Sequence, residues 1–197
     1  MSGPHENLEH AEHAEHAAGH NKGIALLIAV IALFLAFSET LGKSAQTSAI
    51  SDNVEASNLW AFFQAKTIRM TAVGTAAEAL EIDVAGVTDP ATKERMQKRI
   101  DAWKATAARY NDEPSTGEGR KQLVEKAKAA EHKRDTAMAR YHHYEVASAA
   151  FQIGIVLASA TIITGMMVLA YLSGALAVVG LAFTAIGFFA PHAVHLM

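Results

Sequence analysis

From Ala150 to Met197 the chain runs for 48 residues without one Asp, Glu, Lys or Arg. A stretch that long and that apolar is hard to keep in water and ordinary in hydrocarbon. In lipid each backbone N–H and C=O must find a partner inside the chain, which an α-helix does within one segment. Ala150–Leu172 and Ala175–Ala190 therefore predict two membrane-spanning helices. Tyr171, Leu172, Ser173 and Gly174 leave room between them for a tight turn only, so the two form a hairpin.

A third span comes earlier. Every residue from Gly23 to Phe37 is apolar or Gly, and Ser38, Glu39, Thr40 and Leu41 follow. Roughly 20 residues cross a bilayer core, so residues 23–41 suffice. A signal peptide has an apolar core of similar length but a basic leader. Here the leader, residues 1–22, carries Glu6, Glu9, Glu12 and Glu15 against Lys22 alone. A membrane span is the better account.

Between the first and second spans, residues 43–149 hold 16 Lys/Arg and 15 Asp/Glu. This segment predicts a soluble, coiled-coil-like helical domain. Thr88-Asp89-Pro90 reads as a stop and restart, with Asp89 capping the next helix and Pro90 at its first position. A second break falls at Asn111–Gly119, where Ser115 and Glu118 have capping-box spacing. Leu59, Phe63, Met70, Val73, Ala77 and Leu80 form one apolar stripe on the first helix of the domain. Val54, Ala61, Ile68 and Ala72 form a neighbouring one, so that helix should pack against more than one partner. Met96, Ile100, Trp103, Ala107 and Tyr110 share a face of the second helix. Leu123, Ala127, Ala130, Ala137, Tyr141 and Tyr144 share one on the third, interrupted by Arg134 in a salt-bridged or snorkelling role. No Pro or Gly stands between Arg120 and Ile153, so this helix should run unbroken into the second span. Three helices going up, down and up would end at the wrong level. Either the middle one lies across the others or the first bends, best at Ser51-Asp52-Asn53.

The fold class is thus an all-α membrane protein with three transmembrane helices and a soluble helical domain after the first. Lys43, Lys133, Arg134 and Arg140 flank the spans on the domain side, against Lys22 on the other. By the positive-inside rule the domain faces the cytoplasm. The near balance of charge gives nucleic acid nothing to bind. No phosphate loop, nucleophile elbow or zinc-protease helix is present, which argues against an enzyme. There is no Cys, hence no disulfide or thiolate chemistry.

Two His groups suggest metal or proton chemistry. In the leader, Glu9, His13, His16 and His20 fall within about 60° of arc on a helix. Imidazoles at such spacing, with a carboxylate, suit a divalent transition metal. Near the spans, His142, His143 and Glu145 precede the second, and His192 and His195 follow Pro191 after the third. The hairpin returns them all to one interfacial level, where Glu39 also leaves the first span.

Small residues make helix–helix seams. Gly154, Ala158, Thr161 and Gly165 on the second span, and Ala177, Gly180, Thr184 and Gly187 on the third, step by four and three and permit close backbone approach. Trp60, Phe62 and Phe63 cover more than one side of their helix. These residues point to helix association and to a homo-oligomer.

The sequence resembles a family of small bacterial inner-membrane proteins with a domain of unknown function. The likeness rests on the run Val54–Arg69 (Val-Glu-Ala-Ser-Asn-Leu-Trp-Ala-Phe-Phe-Gln-Ala-Lys-Thr-Ile-Arg), on Gly117-Glu118-Gly119-Arg120-Lys121, on Phe151–Ala160 and on the His/Glu-rich start. The resemblance implies a multi-pass bacterial inner-membrane protein and supplies no activity. The residues favour a non-enzymatic scaffold or accessory subunit of a larger membrane complex, partnered by the bilayer and by its own copies, with no cofactor. A metal- or pH-responsive protein using the His clusters is the alternative, and a channel or transporter the third reading.

Overall fold

A computed structural model describes the backbone of residues 4–194 and the side chains of residues 22–194. The described residues form four helices and no strand: α1 (Pro4–Ala85), α2 (Pro90–Asn111), α3 (Arg120–Thr164) and α4 (Met167–Phe189). α1, α3 and α4 are each long and apolar enough to cross a membrane.

α1 continues through Ser51-Asp52-Asn53 without a break in the helix. No proline interrupts it after Pro4, and the hydroxyls that could compete with the helix bond back onto it instead. Thr40 donates to the Ala36 carbonyl, Thr47 to that of Lys43 and Ser57 to that of Asn53. Asp52 and Glu55 would cap only if the chain before them left the helix, and it does not. At the far end Gly86 and Val87 close onto the Asp83 and Val84 carbonyls. The Asp89 carboxylate then accepts the Thr92 N–H at 2.9 Å with Pro90 opening α2, as the sequence indicates. The Thr92 hydroxyl first, and then its N–H, hold the Asp89 carboxyl below the usual carboxylate range.

The hairpin turn lies at Gly165–Met166, about two helical turns before the expected Tyr171–Gly174. Gly165 sits at φ +70° and its N–H bonds the Thr161 carbonyl at 2.8 Å, the left-handed cap that ends a helix on glycine. A Cβ there would touch nothing, so Gly165 is a turn residue and not part of a packing seam. Tyr171, Leu172, Ser173 and Gly174 are interior to α4, whose 23 residues cover about 35 Å.

The chain divides into two compact units: Ala49–Asp135 forms one, and the segments on either side form the other. In the span unit α1 and α3 run antiparallel. The Ser38 hydroxyl donates to the Tyr144 carbonyl at 3.0 Å, and Ile31, Ala147 and Phe151 form the buried core, joined by Leu27, Leu35, Ile155, Ala177 and Phe183. α4 lies against α3 with Ser173 opposite Gly154, Gly180 opposite Phe151 and Gly187 opposite His143 and Tyr144.

In the other unit the question of level has an answer that neither expected alternative contains. Lys104 of α2 pairs with Glu81, and the Tyr110 ring of α2 meets Lys66, so α2 runs antiparallel to α1. α3 does too: Arg120 reaches Thr67, Glu131 reaches Trp60 and Arg134 reaches Asn53. α2 and α3 therefore travel in the same direction and cover successive lengths of α1. The loop between them hands the chain on without reversing it.

This unit is consequently narrow. The stripe Leu59, Phe63, Met70, Val73, Ala77 and Leu80 is buried or half-buried, as are Met96, Ile100, Trp103, Ala107 and Tyr110. The neighbouring stripe is not covered: Val54 is 53% exposed and Ile68 69%, and Ala61 and Ala72 are exposed as well. The helix does meet two partners, α2 and α3, but they lie along successive lengths of it, so the neighbouring stripe stays bare.

Candidate functional site

The joint between α2 and α3 holds the densest polar chemistry. Lys66 is only 6% exposed. Its ammonium lies 3.6 Å from Glu113 and 3.7 Å from Glu118, and within 5.4 Å of the Phe62 and Tyr110 ring centres. Phe62 stands one helical turn before Lys66, which places the ring beside the side chain. Arg120, the first residue of α3, donates to the Thr67 hydroxyl at 2.9 Å and spreads over the Phe63 ring at 5.0 Å. Trp60 meets Phe63 edge-on at 5.6 Å and donates its indole N–H to Glu131 at 2.9 Å. The aromatic trio that sequence assigned to association is thus half-buried and used inside the chain.

Ser115 and Glu118 do not form the expected capping box. Glu118 turns to Lys66, its N–H takes the Thr116 hydroxyl, and α3 begins only at Arg120. Gln122 does the bridging instead, donating to Asp112 at 2.7 Å and accepting from the Glu113 N–H at 3.2 Å. Lys121 also bonds Asp112, at 2.8 Å. These two partners, Lys121 foremost, hold the Asp112 carboxyl below the usual carboxylate range. Gly119 is buried here, and a Cβ on it would run into the Glu113 backbone nitrogen. These contacts fasten the ends of α2 and α3 to α1.

The described members of the second cluster face different partners. His143 is buried and donates Nε2–H to the Pro191 carbonyl at 3.0 Å, while its Nδ1 meets no partner. His192 lies 3.1 Å from the Thr136 hydroxyl, His142 lies 3.7 Å from Glu145, and Gln152 donates to Glu39 at 3.3 Å. Among the described residues no group of three or more His, Asp or Glu is placed to hold a metal ion. The side chains of Glu9, His13, His16 and His20, and the whole of His195, lie outside the described residues.

The seams close the α3–α4 hairpin. A Cβ on Gly180 would stand 2.6 Å from the Phe151 ring, and one on Gly187 3.0 Å from both His143 and Tyr144. Ala158 is fully buried. Thr184 returns its hydroxyl to the Gly180 carbonyl, and Ser173 donates to the Gly154 carbonyl at 2.7 Å. Ser173, assigned to the turn by sequence, lies on the same four-and-three progression as Ala177, Gly180, Thr184 and Gly187.

Compared with known families, residues 20–190 match one described as a domain of unknown function (DUF4337). The chain belongs to that family. No curated protein and no solved structure matches it. In this DUF4337 chain the first two segments that carry the resemblance meet each other. Lys66 and Thr67, from the run ending at Arg69, hold Glu118 and Arg120, from Gly117–Lys121. The third, Phe151–Ala160, supplies the core ring of the span unit. Sequence did not single out Lys66 or Arg120. The available signal was a lysine one turn after a phenylalanine, too common by itself to point to a buried cation.

Proposed function

We propose that this DUF4337 protein is a non-enzymatic membrane scaffold or accessory subunit that associates with its own copies. What carries the proposal is the uncovered stripe on α1. Val54, Ala61, Ile68, Thr75 and Ile82 recur every seven residues, and Ile82 is 78% exposed and Ile68 69%. Ala72 and Ala79 stand between them, so a second helix can approach closely along most of the row. A narrow unit with charged flanks and one bare apolar row suits helix pairing better than catalysis. The small-residue seams of the spans are satisfied within one chain, so association is assigned to α1. The bacterial inner membrane is the proposed location, with residues 43–149 on the cytoplasmic side, supported by Lys43, Lys133, Arg134 and Arg140 against Lys22.

Size and stoichiometry of the full chain in mild detergent test the reading. A homo-oligomer is expected, dissociating in Ile68→Glu and intact in Lys93→Glu. A monomer at every concentration, with Ile68→Glu unchanged, ends it. A stoichiometric foreign subunit on the same sample keeps the accessory role and removes self-association. Metal analysis of that sample addresses the His-cluster alternative.

A further inference from the structure

In the span unit a cavity of about 370 Å³ lies among α1, α3 and α4. Ser44 and Ser48 line it from α1, one turn apart, and Arg140 lines it from α3. The Tyr144 ring, packed on Gly187, forms its inner wall, and Leu41 and Phe188 complete the lining on the side toward the spans. Register brings the three polar side chains together. A Cβ on Gly42 would stand 3.5 Å from that of Tyr144, and the two helices run antiparallel. Arg140, one turn before Tyr144, therefore falls between the levels of Ser44 and Ser48. It stands five residues, about 7 Å, outside Glu145, the last charged residue of the chain, which is headgroup depth.

None of the three polar groups is engaged. Arg140 is exposed and, among the described residues, has no ion pair and no hydrogen bond; Arg134, on the same helix, is taken by Asp135 and Asn53. Ser44 and Ser48 likewise make no hydrogen bond among the described residues. Thr40, Thr47 and Ser57, on the same helix as these serines, return theirs to the preceding turn. Among the described residues no Asp or Glu lines the cavity. The lining thus offers a guanidinium fork, two hydroxyls and a net positive charge, a set that suits phosphate oxygens. One heptad deeper, the faces of α1 and α4 that carry Leu41, Ser44 and Phe188 continue through Phe34, Phe37 and Leu181, all exposed and apolar.

From this arrangement we infer that the cavity binds the phosphate of a membrane phospholipid. Arg140, Ser44 and Ser48 hold the phosphate, and the acyl chains lie along Phe34, Phe37 and Leu181. A free phosphate would meet the same donors but leave the apolar surface below them bare, whereas a lipid covers both at once. The inference rests on membrane insertion of the three apolar helices and is independent of self-association.

The test is titration of the delipidated full chain in detergent with phosphatidylglycerol, diacylglycerol or inorganic phosphate, read by native mass spectrometry and thermal stability. Phosphatidylglycerol should bind saturably, at one per chain, about tenfold more tightly than diacylglycerol. Arg140→Gln should remove most of that difference, with helicity checked by circular dichroism. Lys43→Gln, also at headgroup level but lining a neighbouring cavity, should leave it intact. Equal binding of the two lipids by the native chain overturns the inference without recourse to any variant. So does an undiminished difference in folded Arg140→Gln, or a loss as large in Lys43→Gln, which would mean a diffuse attraction in place of a site. Inorganic phosphate binding as tightly as the lipid overturns the lipid assignment.

Discussion

Where α4 meets α3, contact is made by absence: Gly180 has no side chain and the Phe151 ring fills the space. Where α2 and α3 meet α1, contact is made by bulk and charge: Lys66 between two rings and two carboxylates, Arg120 over Phe63, Trp60 reaching Glu131. The difference fits the medium proposed for each unit. In hydrocarbon, lipid tails are as apolar as leucine, so helices adhere through close van der Waals approach and hydroxyl bonds such as Ser173 to Gly154. In water, apolar burial drives association, and cations laid over aromatic rings add to it while their heads keep polar partners. One chain uses both methods and keeps each to its own unit.

Lys66→Ala should breach the joint. It leaves Glu113, whose side chain is only 15% exposed, with Arg109 alone of its two cations, and removes the stem packed on Phe62. A loss of about 2 kcal/mol is expected, mostly from the lost packing and the weakened pairing of Glu113. Amide hydrogen exchange should show it as faster exchange around residues 59–70 and 110–125, with residues 147–187 unchanged. If both stretches accelerate equally, the two contacts are not separate. Gly180→Leu should do the reverse. Phe151 is fully buried, so overpacking of about 2 kcal/mol is expected, with protection lost across α3–α4 and retained at the joint.

Acid gives the smallest effect and the cleanest division. Asp112 has its pKa lowered by the Lys121 and Gln122 hydrogen bonds, and Asp89 by Thr92. A carboxylate depressed in the folded state contributes stability above its unfolded value of about 4 and loses it as pH falls through the folded value. Loosening of the α1–α2 and α2–α3 connections is expected only below about pH 4. The glycine contact between α3 and α4 has no carboxylate to titrate and should not respond. Exchange at Thr92 and Gln122 compared with Phe151 across that range checks this.

Local chemistry was legible in the sequence; direction and distance were not. The apolar spans, the Asp89 cap and both loop positions can be read because each is fixed by a few consecutive residues. The hairpin turn was misplaced because Gly165 fits the small-residue spacing as well as it fits a left-handed cap, and Ser173-Gly174 looks like a turn. Moving the turn by about two helical turns keeps the same faces together, which is why the seams still meet. Periodicity shows which face of α3 is apolar but not which way α3 runs beside α1. Trp60 and Phe63 look uncovered until Arg120 and Glu131, far along the chain, arrive.

The handing-on of α2 to α3 along α1 also sets an order of assembly. The contacts of this unit lengthen steadily in sequence separation away from the Gly86–Asp89 turn: 23 residues for Glu81 with Lys104, 53 for Thr67 with Arg120, 71 for Trp60 with Glu131 and 81 for Asn53 with Arg134. Closing the last of these in an open chain would carry the full entropy of a long loop. Once the inner contacts exist, each further one closes only the few residues beyond its predecessor. The unit can therefore zip from its tip, and α2 can dock before the polypeptide for α3 has been made.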